Sequence, residues 1–222
     1  GLRCCQTRGR RRRPDPMGIR CFLVTPANRA RRYLRRYVSH SEGVCPGPDK
    51  YHNAWTLIEV VDEQPDADRL WPLTPQDWDP RDARWPTKCE TCDYQFLDTD
   101  VRQVFHDHLY VDDAGAEYSL RDPKPGMMWD AWWMPECWRG PDGRSLCVIC
   151  PGGTQWMIDG PANNCTMPAD QGPFDSAHRC WVRHGEPPNL TVDKNGRTCA
   201  AGAGSIQAGN YHGFLRNGEF TD

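Results

Sequence analysis

The sequence predicts a β-rich α+β protein, in which one basic amphipathic helix near the N-terminus precedes short antiparallel strands and long loops stapled by zinc. Three observations predict this. Twenty glycines and twenty prolines punctuate the 222 residues, which argues against long helices. One stretch after residue 25 has apolar residues at helical spacing. Two Cys-x-x-Cys pairs, Cys89/Cys92 and Cys147/Cys150, have the thiolate spacing that a tetrahedral zinc ion takes.

The helical pattern covers residues 26–38. Thr25 is a suitable N-cap, and Pro26 suits the first helical position because its missing N–H costs nothing there. One apolar stripe consists of Ala30, Tyr33, Leu34, Tyr37 and Val38. The opposite face carries Arg29, Arg31, Arg32, Arg35 and Arg36. We expect the stripe to pack on the protein's own core and the arginines to face solvent.

Charge is divided unequally along the chain. The first 40 residues carry twelve arginines and one acid, a charge of +11, and the remaining 182 carry −14, which together give −3. A basic segment on an acidic body is typical of proteins that touch nucleic acid or another acidic surface. It predicts weak, sequence-nonspecific nucleic-acid binding through the five arginines of the helix. An unknown protein partner is the other prediction.

Four regions are predicted: a non-native or disordered leader (1–16), a basic helical segment (17–44), a Cys/His-containing α+β region (45–145) and a β-rich C-terminal region (146–222). Asp112-Asp-Ala-Gly115 and Asn217-Gly218 predict hairpin turns, because these residues tolerate positive φ. Runs rich in apolar and β-branched residues predict strands at 54–62, 101–110, 117–120, 146–149, 155–158, 180–183, 189–193, 211–215 and 219–220.

The metal ligands can be combined in more than one way. Cys89 and Cys92 predict a zinc knuckle, whose backbone N–H groups turn toward the sulfurs, and Cys147 and Cys150 predict a second one. Together they would form a four-cysteine ribbon with 54 residues between the pairs. Alternatively, Cys45 and His52, or His106 and His108, complete the Cys89/Cys92 site. A separate C-terminal group contains Cys165, His178, Cys180 and Cys199, with His212 nearby.

Twelve cysteines and seven histidines indicate either disulfides or metal binding. No secretory signal precedes the body of the chain, and no run of 18 apolar residues could span a membrane. We therefore predict reduced, metal-binding cysteines and a cytoplasmic location. The sequence contains no Walker loop, H-E-x-x-H or nucleophile elbow. A non-enzymatic binding protein is predicted, with a zinc hydrolase near His106/His108 or His212 as the alternative.

Several stretches resemble a family of uncharacterised proteins from phages of actinobacteria. These are Pro151-Gly-Gly-Thr-Gln-Trp-Met-Ile-Asp-Gly-Pro, Cys180-Trp-Val-Arg-His-Gly-Glu-Pro-Pro-Asn-Leu-Thr-Val, Ala203-Gly-Ser-Ile and Tyr211-His-Gly-Phe-Leu-Arg-Asn-Gly. A broader group of small phage and bacterial proteins is similar at its C-terminal end, where Tyr211 stands in place of a frequent cysteine. The resemblance implies a phage-encoded, metal-stapled protein in the bacterial host, without an assigned activity.

Overall fold

The computed structural model describes residues 18–38, 45–47, 50–64, 78–166, 179–196, 198–202 and 204–222. The predicted leader and His178 lie outside the described residues. The described part is β-rich, and its one helical element is a 3₁₀ turn at Glu136–Trp138. No helix in these ranges has the length and apolar character needed to cross a membrane.

Fourteen strands lie in the described part, and they form three sheets. The strands are β1 (Ile19–Arg20), β2 (Phe22–Leu23), β3 (Thr25–Tyr37), β4 (Asn53–Asp62), β5 (Val101–Val111), β6 (Glu117–Ser119), β7 (Met127–Asp130), β8 (Leu146–Ile149), β9 (Gln155–Met157), β10 (Val182–His184), β11 (Thr191–Asp193), β12 (Ile206–Ala208), β13 (Tyr211–Arg216) and β14 (Glu219–Thr221). The long sheet has the order β4-β3-β5-β6, and the middle sheet β2-β7-β8-β9. The C-terminal sheet has the order β1-β14-β13-β11-β10, with β12 paired to β13.

The predictions of an α+β fold class and of an N-terminal helix are wrong, because residues 25–37 form strand β3, which has a neighbour on each side in the long sheet. β3 pairs antiparallel with β4 along one edge, ending with Tyr37 opposite Asn53. Along its other edge it pairs antiparallel with β5, ending with Tyr37 opposite Val101. These two ladders satisfy backbone groups that a helix would have satisfied internally.

The apolar stripe that predicted the helix also fits a strand. Ala30 and Leu34 are four residues apart, an even spacing that places them on one face of a strand as well as of a helix. Both are fully buried. Tyr33 and Tyr37 share the opposite strand face and are only partly buried, while Arg36, expected in solvent, is buried. The spacing of the apolar residues therefore does not decide between a helix and a strand. Hydrogen bonding to a neighbouring strand on each edge of β3 decides for the strand.

The strand predictions of the later chain are largely confirmed. β4, β5, β8, β9, β13 and β14 fall on predicted strands, with ends shifted by a residue or two. The Asn217-Gly218 hairpin is confirmed: Arg216 pairs with Glu219 across it, and both turn residues have positive φ (46° and 73°). Asp112–Gly115 connects β5 to β6 as predicted, with Gly115 at a φ of 80°.

The middle sheet lies between the other two sheets. One of its faces contributes Met128, Leu146 and Val148 to a core shared with the C-terminal sheet. Its other face contributes Met127 and Trp129 to a core shared with the long sheet. All four residues of β8 are buried, as expected for a strand covered on both faces. Met127, Met128 and Trp129 of β7 are thus buried in the interior. β7 and β8 pair across the predicted boundary at residue 145, and the division into regions stays a prediction.

Candidate metal centres

Four of the predicted ligands converge at one end of the long sheet. The ligand atoms of Cys45, His52, Cys89 and Cys92, here called the four-ligand group, all lie within 4.8 Å of one another. The Cys45 sulfur lies 3.9 Å from the sulfurs of Cys89 and Cys92, and the Cys92 sulfur lies 3.2 Å from Nδ1 of His52. In a tetrahedral zinc site with Zn–S bonds of about 2.3 Å, neighbouring sulfurs are about 3.8 Å apart. The four-ligand group therefore has the size of a closed metal site.

Cys89 and Cys92 lie in a tight turn that the sequence predicted as a knuckle. Lys88 and Gln95 form an antiparallel bridge at its base, and the Cys89 amide donates to the Tyr94 carbonyl at 2.9 Å. The Thr91 amide points at the Cys89 sulfur, 3.4 Å away. This is the N–H···S contact expected of a thiolate held for a metal.

The other two ligands come from the chain that leads into β4. Cys45 lies in the described segment 45–47, and His52 directly precedes β4. The His52 ring stacks on Tyr94 with 4.0 Å between ring centroids and an interplanar angle of 7°. The Val38 amide donates to the His52 carbonyl at 3.1 Å. The stacking fixes the orientation of the imidazole, as partners around metal-binding histidines commonly do, and the backbone bond holds His52 beside the end of β3.

The electrostatics of the knuckle favour a thiolate at Cys89. Burial raises the pKa of Cys89, but backbone N–H donors and the His52 side chain outweigh it and lower the pKa to about 6. The Tyr94 amide lowers the pKa of Cys92, yet burial and the neighbouring Cys89 and Cys45 sulfurs raise it overall. Three sulfurs this close together can all ionise only beside a cation, and a divalent metal ion would supply that charge.

Arg36 holds the base of the knuckle from inside. Its guanidinium donates to the carbonyl of Pro86 at 3.4 Å and to that of Leu97, one before and one after the turn. It also lies over the Phe96 ring, 5.3 Å from the centroid. The helical pattern predicted Arg36 on a solvent-facing surface that binds nucleic acid, but its side chain is buried and has this internal role instead.

A second group contains Cys165, Cys180 and Cys199, here called the three-thiol group, whose sulfurs also lie within 4.8 Å of one another. The sulfurs of Cys180 and Cys199 are 3.6 Å apart. Lys194 donates to the carbonyls of Cys180 at 2.7 Å and Cys199 at 3.2 Å, and also to that of Ala201. One ammonium thus fixes the backbone of two of the three thiols. His178, the predicted fourth member, lies outside the described residues.

Cys147 and Cys150 are not brought to Cys89 and Cys92. Residues three apart on an extended chain point to opposite faces, so the pair is split between the two cores of the middle sheet. Burial raises the pKa of each thiol to about 12. Gln155 donates to the Cys147 sulfur at 3.3 Å. The four-cysteine ribbon has no geometric support here, and a metal role for this pair stays a prediction.

The histidines proposed for a catalytic zinc lie apart from both cysteine groups. His106 and His108 are buried on β5, and Nδ1 of His106 lies 3.2 Å from a carboxylate oxygen of Glu63. His212 is exposed, with Nε2 2.8 Å from the Ser205 hydroxyl. Within the described residues, neither position belongs to a group of three or more metal-ligating side chains.

The five arginines proposed to bind nucleic acid mostly have internal partners. Arg29 and Arg31 lie 2.5 and 4.0 Å from Glu117 carboxylate oxygens. Arg32 pairs with Glu59 at 2.9 Å and with Glu63 at 3.2 Å. Because carboxylates already neutralise three of the five, the arginine run offers phosphate far less free charge than the sequence predicts.

The fold and these groups define a β-rich, cysteine-rich protein whose Cys/His clusters could hold metal ions. All ten cysteines in the described ranges are without a disulfide bond. Comparison of the chain with protein families, with curated proteins and with solved structures found no match. The resemblance to actinobacterial phage proteins therefore stays a prediction.

Proposed function

We propose that this is a zinc-stapled binding protein without enzymatic activity, in which the four-ligand group holds a structural zinc ion. The observation that carries the proposal is the convergence of four soft ligands, three sulfurs and one imidazole nitrogen, within 4.8 Å. Sulfur-rich sets with one histidine select zinc, and four protein ligands fill its tetrahedral shell. A catalytic zinc would keep one position for water.

The zinc would replace a core that this part of the chain lacks. The apolar cluster around the four-ligand group has four buried members, Cys45, Ala54, Cys89 and Phe96, and two of these are the ligands themselves. Such a small cluster cannot offset the conformational entropy of ordering the loops around it. The metal would tie the knuckle and the 45–47 segment to the start of β4.

The setting that we propose is a bacterial cell infected by a phage, with a protein or small-molecule partner. The resemblance to actinobacterial phage proteins supports the setting, and the closed site supports a binding role over catalysis. A zinc hydrolase would need an open metal site, and neither His106/His108 nor His212 supplies one in the described ranges.

X-ray absorption at the zinc edge of the purified protein tests the structural role. We expect a four-coordinate zinc ion with mostly sulfur ligands at about 2.3 Å, a nitrogen at about 2.0 Å and no exchangeable oxygen. An oxygen ligand that a small anion such as azide displaces would contradict the proposal and support a zinc enzyme.

A further inference from the structure

A pocket of about 980 Å³ opens between the long sheet and the middle sheet, and none of its lining residues belongs to either cysteine group. Its walls are largely aromatic and include Tyr37, Trp55, Phe105 and Trp133. Ligand pockets of small molecules typically span about 300–1,000 Å³ and combine apolar walls with a few polar groups. The volume therefore suits a ligand larger than an ion.

Two arginines in this pocket are held by one tryptophan ring. The guanidinium carbon of Arg121 lies 3.7 Å from the centroid of Trp55, and that of Arg35 lies 4.6 Å from the same centroid. Arg35 donates to the side-chain oxygens of Asn53 at 2.9 Å and Gln103 at 3.3 Å, which are neutral acceptors. Within the described ranges, neither arginine forms a salt bridge.

In the part of the chain that the structure describes, the two cations share a single carboxylate of the lining, Asp107, which interacts with Arg121. Burial lowers the pKa of Arg35, and the nearby Arg121 charge lowers it further. The carboxylate in the lining is Asp107, which accepts from the Ser119 hydroxyl at 2.5 Å and whose pKa is raised by burial. An anionic ligand would relieve the repulsion, and the planar guanidinium matches a phosphate with two parallel N–H donors.

We propose that this pocket binds a nucleoside monophosphate, with the phosphate against Arg35 and Arg121 and the base among the aromatic side chains. Stacking on aromatic rings is available to every base, and the oxygens of one phosphate can accept from two guanidinium groups at once. The inference rests on the proposed binding function and names its ligand class. It is independent of the metal, because the pocket and the four-ligand group share no residue.

Calorimetric titration of the full chain with adenosine 5′-monophosphate, adenosine and inorganic phosphate tests the proposal. We expect the monophosphate to bind with a dissociation constant below about 1 mM, and adenosine and phosphate each to bind about tenfold or more weakly. Equal binding of adenosine and the monophosphate would overturn the arginine role. Binding of single-stranded DNA without any mononucleotide binding would overturn the assignment of a small ligand.

Arg121→Gln should weaken monophosphate binding about tenfold or more. The matched control is Arg216→Gln, because Arg216 also stacks on a ring, 4.5 Å from the centroid of Phe214, but outside the pocket. Unchanged monophosphate binding by Arg121→Gln would contradict the proposal. If that variant fails to fold, the comparison of adenosine 5′-monophosphate, adenosine and phosphate on the wild-type protein is the test. The zinc content is measured on the same samples. Protein that contains zinc but does not bind the monophosphate would refute only the nucleotide-binding proposal. Protein that binds the monophosphate but contains no zinc would refute only the structural-zinc proposal.

Discussion

Cys89→Ser is expected to remove one equivalent of zinc per chain and to unfold the knuckle. Serine is a poor zinc ligand, and the remaining three ligands would leave an open shell. Binding of structural zinc in small modules contributes on the order of 10 kcal/mol to apparent folding free energy, so losing it should unfold the segment around residues 87–96. Metal analysis, with hydrogen exchange of that segment, measures both effects.

The control for this substitution is Cys137→Ser. Cys137 is partly buried and belongs to neither cysteine group, so its replacement should leave the zinc content unchanged. If Cys89→Ser retains its zinc and the protection of the knuckle amides, the four-ligand group is not the metal site. Cys92→Ser should reproduce the loss, because both residues belong to the same turn.

Arg183→Ala is expected to destabilise the fold by about 3–5 kcal/mol, the usual cost of removing one partner of a buried ion pair. The Arg183 side chain is 4% exposed, and its Nε donates to Asp159 at 2.9 Å. A second contact joins it to Asp142, in the turn before β8. Arg183 thus ties the C-terminal sheet to both ends of the β8–β9 hairpin. Urea unfolding of the variant measures the loss.

The loss of unfolding free energy in Arg183→Ala should depend on pH. Burial raises the pKa of Asp159, so the folded state holds a proton there more tightly than the unfolded state. Stability contributed by that proton is present below the unfolded-state pKa and is lost as the pH rises through the raised, folded-state pKa. Without Arg183, Asp159 ionises unpaired, so we expect a larger deficit near pH 7 than near pH 4.

The control for the ion pair is Arg84→Ala, which removes an exposed partner. Arg84 pairs with Asp82 at 2.8 Å, but its side chain is 50% exposed. Surface pairs contribute about 1 kcal/mol or less. If Arg183→Ala costs no more than Arg84→Ala at pH 7, the buried pair does not hold the sheets together.

The sequence predicts the C-terminal hairpin and strands β4 and β5 well, and the segment that forms β3 poorly. The Asn217-Gly218 turn needs positive φ, and alternating residues beside it define β13 and β14, so this hairpin is a local property. β3 is different, because it acquires its structure from partners many residues away. Ala30 and Leu34 satisfy a helix and a strand equally, and only the pairing with β4 and β5 decides between them.

The candidate site was likewise predictable in part. Cys89 and Cys92 are marked by local spacing, and the N–H···S contact of their knuckle follows from the turn. Their partners depend on long-range folding, so Cys45 and His52 could be proposed from the sequence but not chosen over other ligands. Cys147 and Cys150 have the same spacing, yet the strand that contains Cys147 separates their side chains. No local sequence pattern predicts the pocket around Arg121, because its lining comes from strands far apart in the chain.

Native mass spectrometry of the purified wild-type protein, compared with the denatured mass, tests the metal staple most directly. We expect the native mass to exceed the denatured mass by at least one zinc ion, and Cys89 and Cys92 to resist thiol alkylation until the metal is chelated. A metal-free native protein with Cys89 in a disulfide bond would contradict it.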